Sequence, residues 1–112
     1  MALQPRTDDS LDVPVALTGL VTVQTGAVVS RTLVKKPAGT VTAFAFDTGE
    51  ALSEHTAPYD ALVQGIEGEA DISIAGRPHR VGAGQLLLLP AGQPHGVVAV
   101  TPFKMLLVMI RA

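Results

Sequence analysis

Short apolar segments separated by turn residues make up most of the chain from residue 28 onward. This pattern predicts strands, because the segments are rich in β-branched and aromatic residues and are bounded by Gly, Pro or Asp. The predicted strands span residues 28–34, 41–46, 61–66, 70–74, 85–89, 96–100 and 103–110. Many short strands at such spacing predict an all-β fold, a sandwich or small barrel of the jelly-roll type.

The N-terminal quarter of the chain has a different pattern. Residues 1–12 are mostly polar and contain a proline, so they read as a loose arm. Residues 15–23 are apolar and fit either a short helix or an edge strand, and the pattern does not separate the two. We therefore expect residues 1–27 to form an arm that packs on the barrel or on a partner, and residues 28–112 to form the barrel domain.

Several predicted strands are apolar on both faces, notably residues 41–46, 86–89 and 105–110. A sheet with one face in water alternates apolar with polar residues instead. The chain is also 47% hydrophobic and only 16% charged, which leaves few charges to cover its surface. The pattern thus predicts a homodimer in which one face of a sheet fills the barrel and the other meets a second subunit. The alternative is that the chain's own N-terminal segment covers the outer face.

The charge and residue content exclude several classes of function. The net charge is −2 and the pI is about 5.8, with no basic patch for phosphate backbones, so nucleic-acid binding is not expected. The chain has no cysteine, which excludes disulfides, thiolate ligands and thiol catalysis. It has neither a signal-peptide pattern nor an apolar run long enough to cross a bilayer. A cytoplasmic protein without a membrane partner is the expectation.

Two sets of spaced residues carry the candidate chemistry. The first is Gly49, His55, Ala57, Ala61 and Gly68, and the second is Gly84, Pro90, Gly92, His95 and Ala99. Their intervals resemble, position for position, the two signature motifs of the cupin superfamily. The chain looks most similar to small single-domain conserved-barrel cupins of bacteria, in a subgroup with an incomplete set of metal ligands. The resemblance implies the cupin double-stranded β-helix, in agreement with the jelly-roll prediction.

The resemblance also implies a metal site, but half of its ligands are missing. In the motifs of the family, the positions of His55, Ala57, Ala61 and His95 hold His, His, Glu and His, the ligands of a divalent metal. Alanine cannot coordinate a metal, so no complete catalytic or metal-ligand set is visible and enzymatic activity stays open. Either His55 and His95 hold a divalent transition metal weakly (Zn, Fe, Mn or Ni), or they remain as polar groups in a small cavity. The motif residues Gly49, Gly68, Gly84, Pro90 and Gly92 are retained as turn formers.

Neighbouring polar residues are poor replacements for the missing ligands. Glu54 and Asp60 are one residue away from motif positions, which places them on the opposite face of a strand unless a β-bulge re-aims them. Glu67 has the right parity but lies about 20 Å along the strand from position 61. Tyr59 is expected at the cavity mouth, where its phenol would bind a ligand, and His79 is expected at the surface or an interface.

These observations leave three functional hypotheses. The first is a binding module whose apolar cavity holds a small organic ligand through His55, Tyr59 and His95. The second is a metal-dependent enzyme of the oxygenase or isomerase type, with a two-histidine site completed by water and substrate. The third is a structural or regulatory dimer. The fold alone does not choose among them, since one fold hosts many activities.

Overall fold

Nine strands form two antiparallel sheets in the computed structural model, which describes residues 11–111. The strands are β1 Val28–Lys36, β2 Gly39–Phe46, β3 Ala51–His55, β4 Asp60–Glu67, β5 Glu69–Ile74, β6 Arg77–Gly82, β7 Leu86–Leu89, β8 His95–Ala99 and β9 Phe103–Ile110. One sheet has the order β1-β2-β9-β4-β7 and the other has the order β3-β8-β5-β6. The predicted jelly-roll barrel is confirmed.

The hydrophobic core lies between the inner faces of the two sheets. Alternate residues of β4 and β5 point inward, so that Val63 and Ile72 are fully buried while their sequence neighbours are not. Phe46 and Phe103 are directly paired across β2 and β9, and their ring centroids are 5.9 Å apart. Such aromatic pairs add to the stability that burial of their area already provides.

The described part of the N-terminal arm, residues 11–27, covers part of the outer face of the five-stranded sheet, whereas residues 1–10 of the predicted arm lie outside the described residues. A second apolar cluster, outside the barrel, consists of Leu20, Val21, Ala43 and Ala45. Lys104 Nζ donates a hydrogen bond to the Thr18 carbonyl oxygen at 2.8 Å and so ties the segment to β9. Residues 15–23, for which helix and strand were both open, contain a single 3-10 turn at Leu17–Gly19. No helix within residues 11–111 is long and apolar enough to cross a membrane.

Two strands, β3 and β6, were not predicted from the sequence. They are the two edges of the four-stranded sheet, so most of their side chains are exposed and polar. β6 even contains Pro78, which an edge strand tolerates because one side of its backbone needs no partner. Arg80 of β6 forms an ion pair with Asp71 of β5 at 2.6 Å. The pattern of apolar residues does not predict such strands, because backbone pairing with the neighbouring strand stabilises them more than burial of their side chains does.

The glycine at position 68 connects β4 to β5 in a place that admits no side chain. Its φ is +74°, and a Cβ there would lie 1.8 Å from the Pro102 carbonyl oxygen. Gly49 has a similar φ of +80°, but a Cβ there would meet nothing within 4 Å. A substitution at Gly49 therefore introduces backbone strain alone, whereas a substitution at Gly68 adds a steric clash.

We expect Gly49→Ala to lower the free energy of unfolding by about 1–2 kcal/mol, the cost of the left-handed conformation alone. Gly68→Ala should lower it by about 4 kcal/mol, because the backbone must also move away from Pro102. Urea unfolding of the two variants beside the wild type measures both losses. Equal losses would show that Pro102 does not restrict position 68.

Candidate functional site

A small cavity opens between the two sheets. Its volume is about 30 Å³, and since a water molecule needs roughly 10–15 Å³ it has room for about two waters. Apolar side chains and backbone form nearly all of the wall. The lining residues are Leu52, His55, Ala57, Ala61, Val63, Leu89, His95, Gly96, Val97, Met105, Leu107 and Met109.

His55 and His95 face each other at this cavity. The two residues are directly paired across β3 and β8, and their ring centroids are 4.5 Å apart with the planes at 70°. His95 is 8% exposed, whereas His55 lies in the exposed part of β3. The structure thus brings together the two histidines predicted from the motifs, one inside the barrel and one at the cavity mouth.

Backbone hydrogen bonds select the same tautomer in both rings. Nδ1 of His55 lies 3.0 Å from the Ser53 carbonyl oxygen, and Nδ1 of His95 lies 3.3 Å from that of Gln93. A carbonyl oxygen only accepts, so each Nδ1 must carry the proton and donate. In a neutral imidazole the other nitrogen is then an acceptor. In the neutral rings both Nε2 atoms therefore keep a free lone pair, and neither has a hydrogen-bond partner among the residues described.

The environment favours the neutral form of His95. Burial lowers the pKa of its imidazole, and repulsion by the neighbouring His55 lowers it further. The hydrogen bond to the Gln93 carbonyl oxygen acts in the opposite direction and is the smallest effect. At neutral pH, His95 consequently offers an uncharged acceptor at Nε2.

The two alanines of the motifs leave space in the cavity and no ligand. Ala57 and Ala61 both line the cavity together with the two histidines. Within residues 11–111 no group of three or more His, Cys, Asp or Glu side chains is placed to hold a metal ion. Asp60 instead accepts a hydrogen bond from the Ala91 amide at 2.9 Å, and Glu67 pairs with Lys104 at 2.9 Å. Both carboxylates are occupied outside the cavity.

Tyr59 is not among the residues that line the cavity, where the sequence analysis had placed it. The Arg111 guanidinium carbon lies 5.2 Å from the centroid of the Tyr59 ring, so a cation–π contact holds the ring beside the end of β9. His79 is exposed on the edge strand β6, as expected for a surface histidine. Neither residue joins the His55–His95 pair.

Sequence reasoning did not include Met105 and Met109 in the cavity. Both residues line it from β9, and Met109 is paired directly with Ala61 of β4. Their shared parity in an apolar run was the only signal in the sequence. That signal does not show which strand lies beside β9, so it does not place either thioether near the motif histidines.

Hydrogen bonds connect the two motifs. The Gly92 amide donates to the Ala57 carbonyl oxygen at 2.9 Å, and the Gly49 amide donates to that of Ala99 at 2.9 Å. Gly92 has a φ of +80°, which an L-residue adopts only with strain. The turn before β8 is thereby fixed to the first motif, and its position determines where His95 enters the cavity.

The lowered pKa of His95 predicts a pH dependence of stability. Between the folded-state pKa and the ordinary value of about 6.5, the unfolded chain binds a proton that the folded chain does not. The free energy of unfolding should therefore fall as the pH drops below about 6.5. Urea unfolding of wild type and His95→Gln between pH 5 and 8 tests this, with His79→Gln as the control. The dependence should weaken in His95→Gln alone, and an unchanged slope there would contradict the assignment.

Comparison with known proteins identifies the fold family. The family model of the cupin domain matches residues 43–110. A conserved protein of unknown function from Streptococcus pyogenes is 34% identical, with a TM-score of 0.87 over 100% of this chain and 96% of that one. A cupin superfamily protein from Desulfitobacterium hafniense is 26% identical, with a TM-score of 0.85 over 90% and 93% of the two chains. A cupin 2 conserved barrel domain protein from Leptotrichia buccalis is 40% identical over 82% of this chain and 45% of that one, with a TM-score of 0.78.

No curated protein matches the chain. The chain belongs to the cupin family, as its two spaced motifs predicted.

Proposed function

We propose that this cupin binds a small organic molecule at the His55–His95 pair. The observation that carries the proposal is the chemistry of the cavity wall. Among the described residues that line the cavity, His55 and His95 are the ones with polar side chains. The other lining groups are apolar side chains or backbone. Binding sites of this kind combine an apolar wall with a few convergent polar groups that orient the ligand.

The protonation of the two rings defines the class of ligand. In the neutral rings both Nε2 atoms are acceptors, because each Nδ1 proton is donated to a backbone carbonyl oxygen. A complementary ligand must therefore donate a hydrogen bond, as an alcohol or a phenol does. The cavity of about 30 Å³ accommodates such a polar group and little more, so the body of the ligand would remain at the mouth. The expected ligand is small, with one hydroxyl group and a mostly apolar remainder.

A metal site at the same pair is the second candidate function. It is favoured by the two free Nε2 lone pairs on one cavity. The donor set nevertheless does not fit the divalent centre of the family, since no carboxylate and no third imidazole among residues 11–111 reaches the cavity. Catalytic metal sites usually have at least three protein ligands. Zn, Fe, Mn or Ni in the sequence-predicted form would thus bind weakly, and an oxygenase or isomerase reaction has less support than binding.

The outer face of the five-stranded sheet supports a homodimer as the assembly. An apolar row, which we call the outer row, crosses all five strands through directly paired residues. It consists of Val34, Val41, Val108, Leu62 and Leu88. The N-terminal segment covers the neighbouring Ala43 and Ala45 instead, and Leu88 remains 49% exposed. A contiguous apolar surface of this kind marks an interaction site.

The charges beside the outer row favour a second copy as the partner. The adjacent row of paired positions begins at Lys36 on β1 and runs through Gly39 and Ile110 to Asp60 on β4. A two-fold axis parallel to the strands would set the β1 side of one copy over the β4 side of the other. Lys36 and Asp60 would then face each other twice across an isologous interface.

Matched ligands test the binding proposal. Phenol and toluene differ in a hydroxyl and a methyl group, so a hydrogen bond to Nε2 should make phenol bind about 3- to 10-fold more tightly. Chemical-shift titration of the ¹⁵N-labelled protein measures both affinities and maps the perturbed amides. His95→Ala should abolish the preference, while His79→Ala should retain it. Equal affinities in the wild type, or perturbations away from β3 and β8, would contradict the proposal.

Two equally exposed positions test the dimer. Leu88→Glu introduces a charge into the outer row, and we expect it to convert the dimer into a monomer at micromolar concentration. Val98→Glu changes a residue of similar exposure, 48%, on the other sheet and should leave the dimer intact. Analytical ultracentrifugation gives the masses. A monomeric wild type, or a dimer that survives Leu88→Glu, would exclude this interface.

A further inference from the structure

Met109 lies beside the position where the barrel lacks its motif carboxylate. Met109 is the direct cross-strand partner of Ala61, and both line the cavity. Directly paired residues have Cβ atoms about 4.5–5.5 Å apart on the same face of a sheet. A methionine side chain is unbranched and flexible, so it can enter the space that the alanine leaves. A soft sulfur donor thus lines the cavity together with the two histidines.

The two imidazoles lie close enough to bind one shared ion after a small shift. With metal–nitrogen bonds of about 2.0–2.1 Å in a tetrahedral arrangement, the ring centroids of two imidazole ligands lie roughly 5 Å apart. The observed separation of His55 and His95 is 4.5 Å, so the rings would move apart by about 1 Å or less. The carbonyl oxygens of Ser53 and Gln93 already fix the tautomer that a metal at Nε2 requires. Neither ring would have to exchange its proton between nitrogens before binding.

The charge of the cavity selects a monovalent ion. None of the described lining residues is acidic, and the carboxylates of Asp60 and Glu67 have partners outside the cavity. The desolvation free energy of an ion rises with the square of its charge, so it is about four times as large for a divalent ion as for a monovalent ion of the same size. Without a counter-charge in the wall, the site disfavours Zn²⁺, Fe²⁺, Mn²⁺ and Ni²⁺.

We propose that Nε2 of His55, Nε2 of His95 and Sδ of Met109 bind one Cu⁺ ion. Thioethers are soft ligands that select monovalent copper, and imidazole is compatible with it. The proposed site shares the histidine pair with the ligand-binding function, and it replaces the hard divalent centre of the family with a soft, uncharged set of three donors. The protein would then bind and retain cuprous ions, with the apolar wall excluding most water from the metal.

Met105 supplies a matched control. It lies on the same face of β9, four residues before Met109, which is about 13 Å along a strand. It is 1% exposed and belongs to the core, where Met→Leu preserves volume. Met105 also lines the cavity, but its partner across β4 is Gly65 and not Ala61, so the two variants show which of the two thioethers the ion uses.

Anaerobic titration with Cu⁺ against bicinchoninate, a chromogenic chelator of Cu⁺, measures the affinity. We expect one Cu⁺ per chain in the wild type and in Met105→Leu, and no binding in His95→Ala. Because loss even of groups that only support a ligand weakens metal binding by about 10- to 100-fold, Met109→Leu should weaken it by at least about tenfold. Zn²⁺ should bind more weakly than Cu⁺. No Cu⁺ binding, equal affinity in Met109→Leu, or tighter binding of Zn²⁺ would overturn the proposal.

Two further readouts keep the test decisive. Copper-edge X-ray absorption of the wild type should contain a sulfur scatterer, and a spectrum with nitrogen and oxygen alone would overturn the role of Met109 even if the Met109 variant does not fold. The preference for phenol over toluene needs the histidines and not the thioether. A wild type that prefers phenol but does not bind Cu⁺ would therefore refute the copper site alone, whereas loss of both would show that the Nε2 atoms are not available.

Discussion

The site depends on the pairing of β3 with β8 and on one irregularity in it. Leu52 pairs with Val97 and His55 pairs with His95, so that three steps along β3 match two steps along β8. A β-bulge therefore inserts one residue into β3 and restores His55 to the inner face that Leu52 occupies. Without it, strand alternation would turn His55 away from the cavity. The absence of a side chain at Gly96 matters here, since a Cβ would lie only 3.3 Å from the backbone of Glu54 in the bulge.

The barrel keeps the geometry of its motifs while it changes their chemistry. The amide of Gly92 still bonds to the first motif, and its turn still delivers His95 to the cavity. At positions 57 and 61, however, small apolar side chains replace two polar ligands. The result is an uncharged pocket with two imidazole acceptors, open to a hydroxyl donor or, with Met109, to a soft cation.

Much of the fold and the histidine pair could be predicted from the sequence, because local patterns encode them. The apolar segments predicted the buried strands, and the spacing of glycines and histidines indicated the two family motifs. The edge strands β3 and β6 were not predicted because most of their residues are exposed and each has only one inward apolar side chain, Leu52 or Val81. The place of Met109 in the cavity was not predicted, because Met109 lies next to Ala61 only through the pairing of β9 with β4, and no local sequence pattern specifies that pairing. Tyr59 was placed at the cavity by its position in the motif, and its contact with Arg111, far along the chain, was not visible there.

The central claim is that His55 and His95 present two unprotonated Nε2 atoms to one cavity. Long-range ¹H–¹⁵N correlation spectra of the imidazole rings at pH 8 measure this directly, since the nitrogen shifts distinguish the two tautomers. The account predicts the Nδ1–H tautomer for both rings, together with a nuclear Overhauser effect between them that fits centroids 4.5 Å apart. An Nε2–H tautomer at either ring, or the absence of contact between the rings, would contradict it.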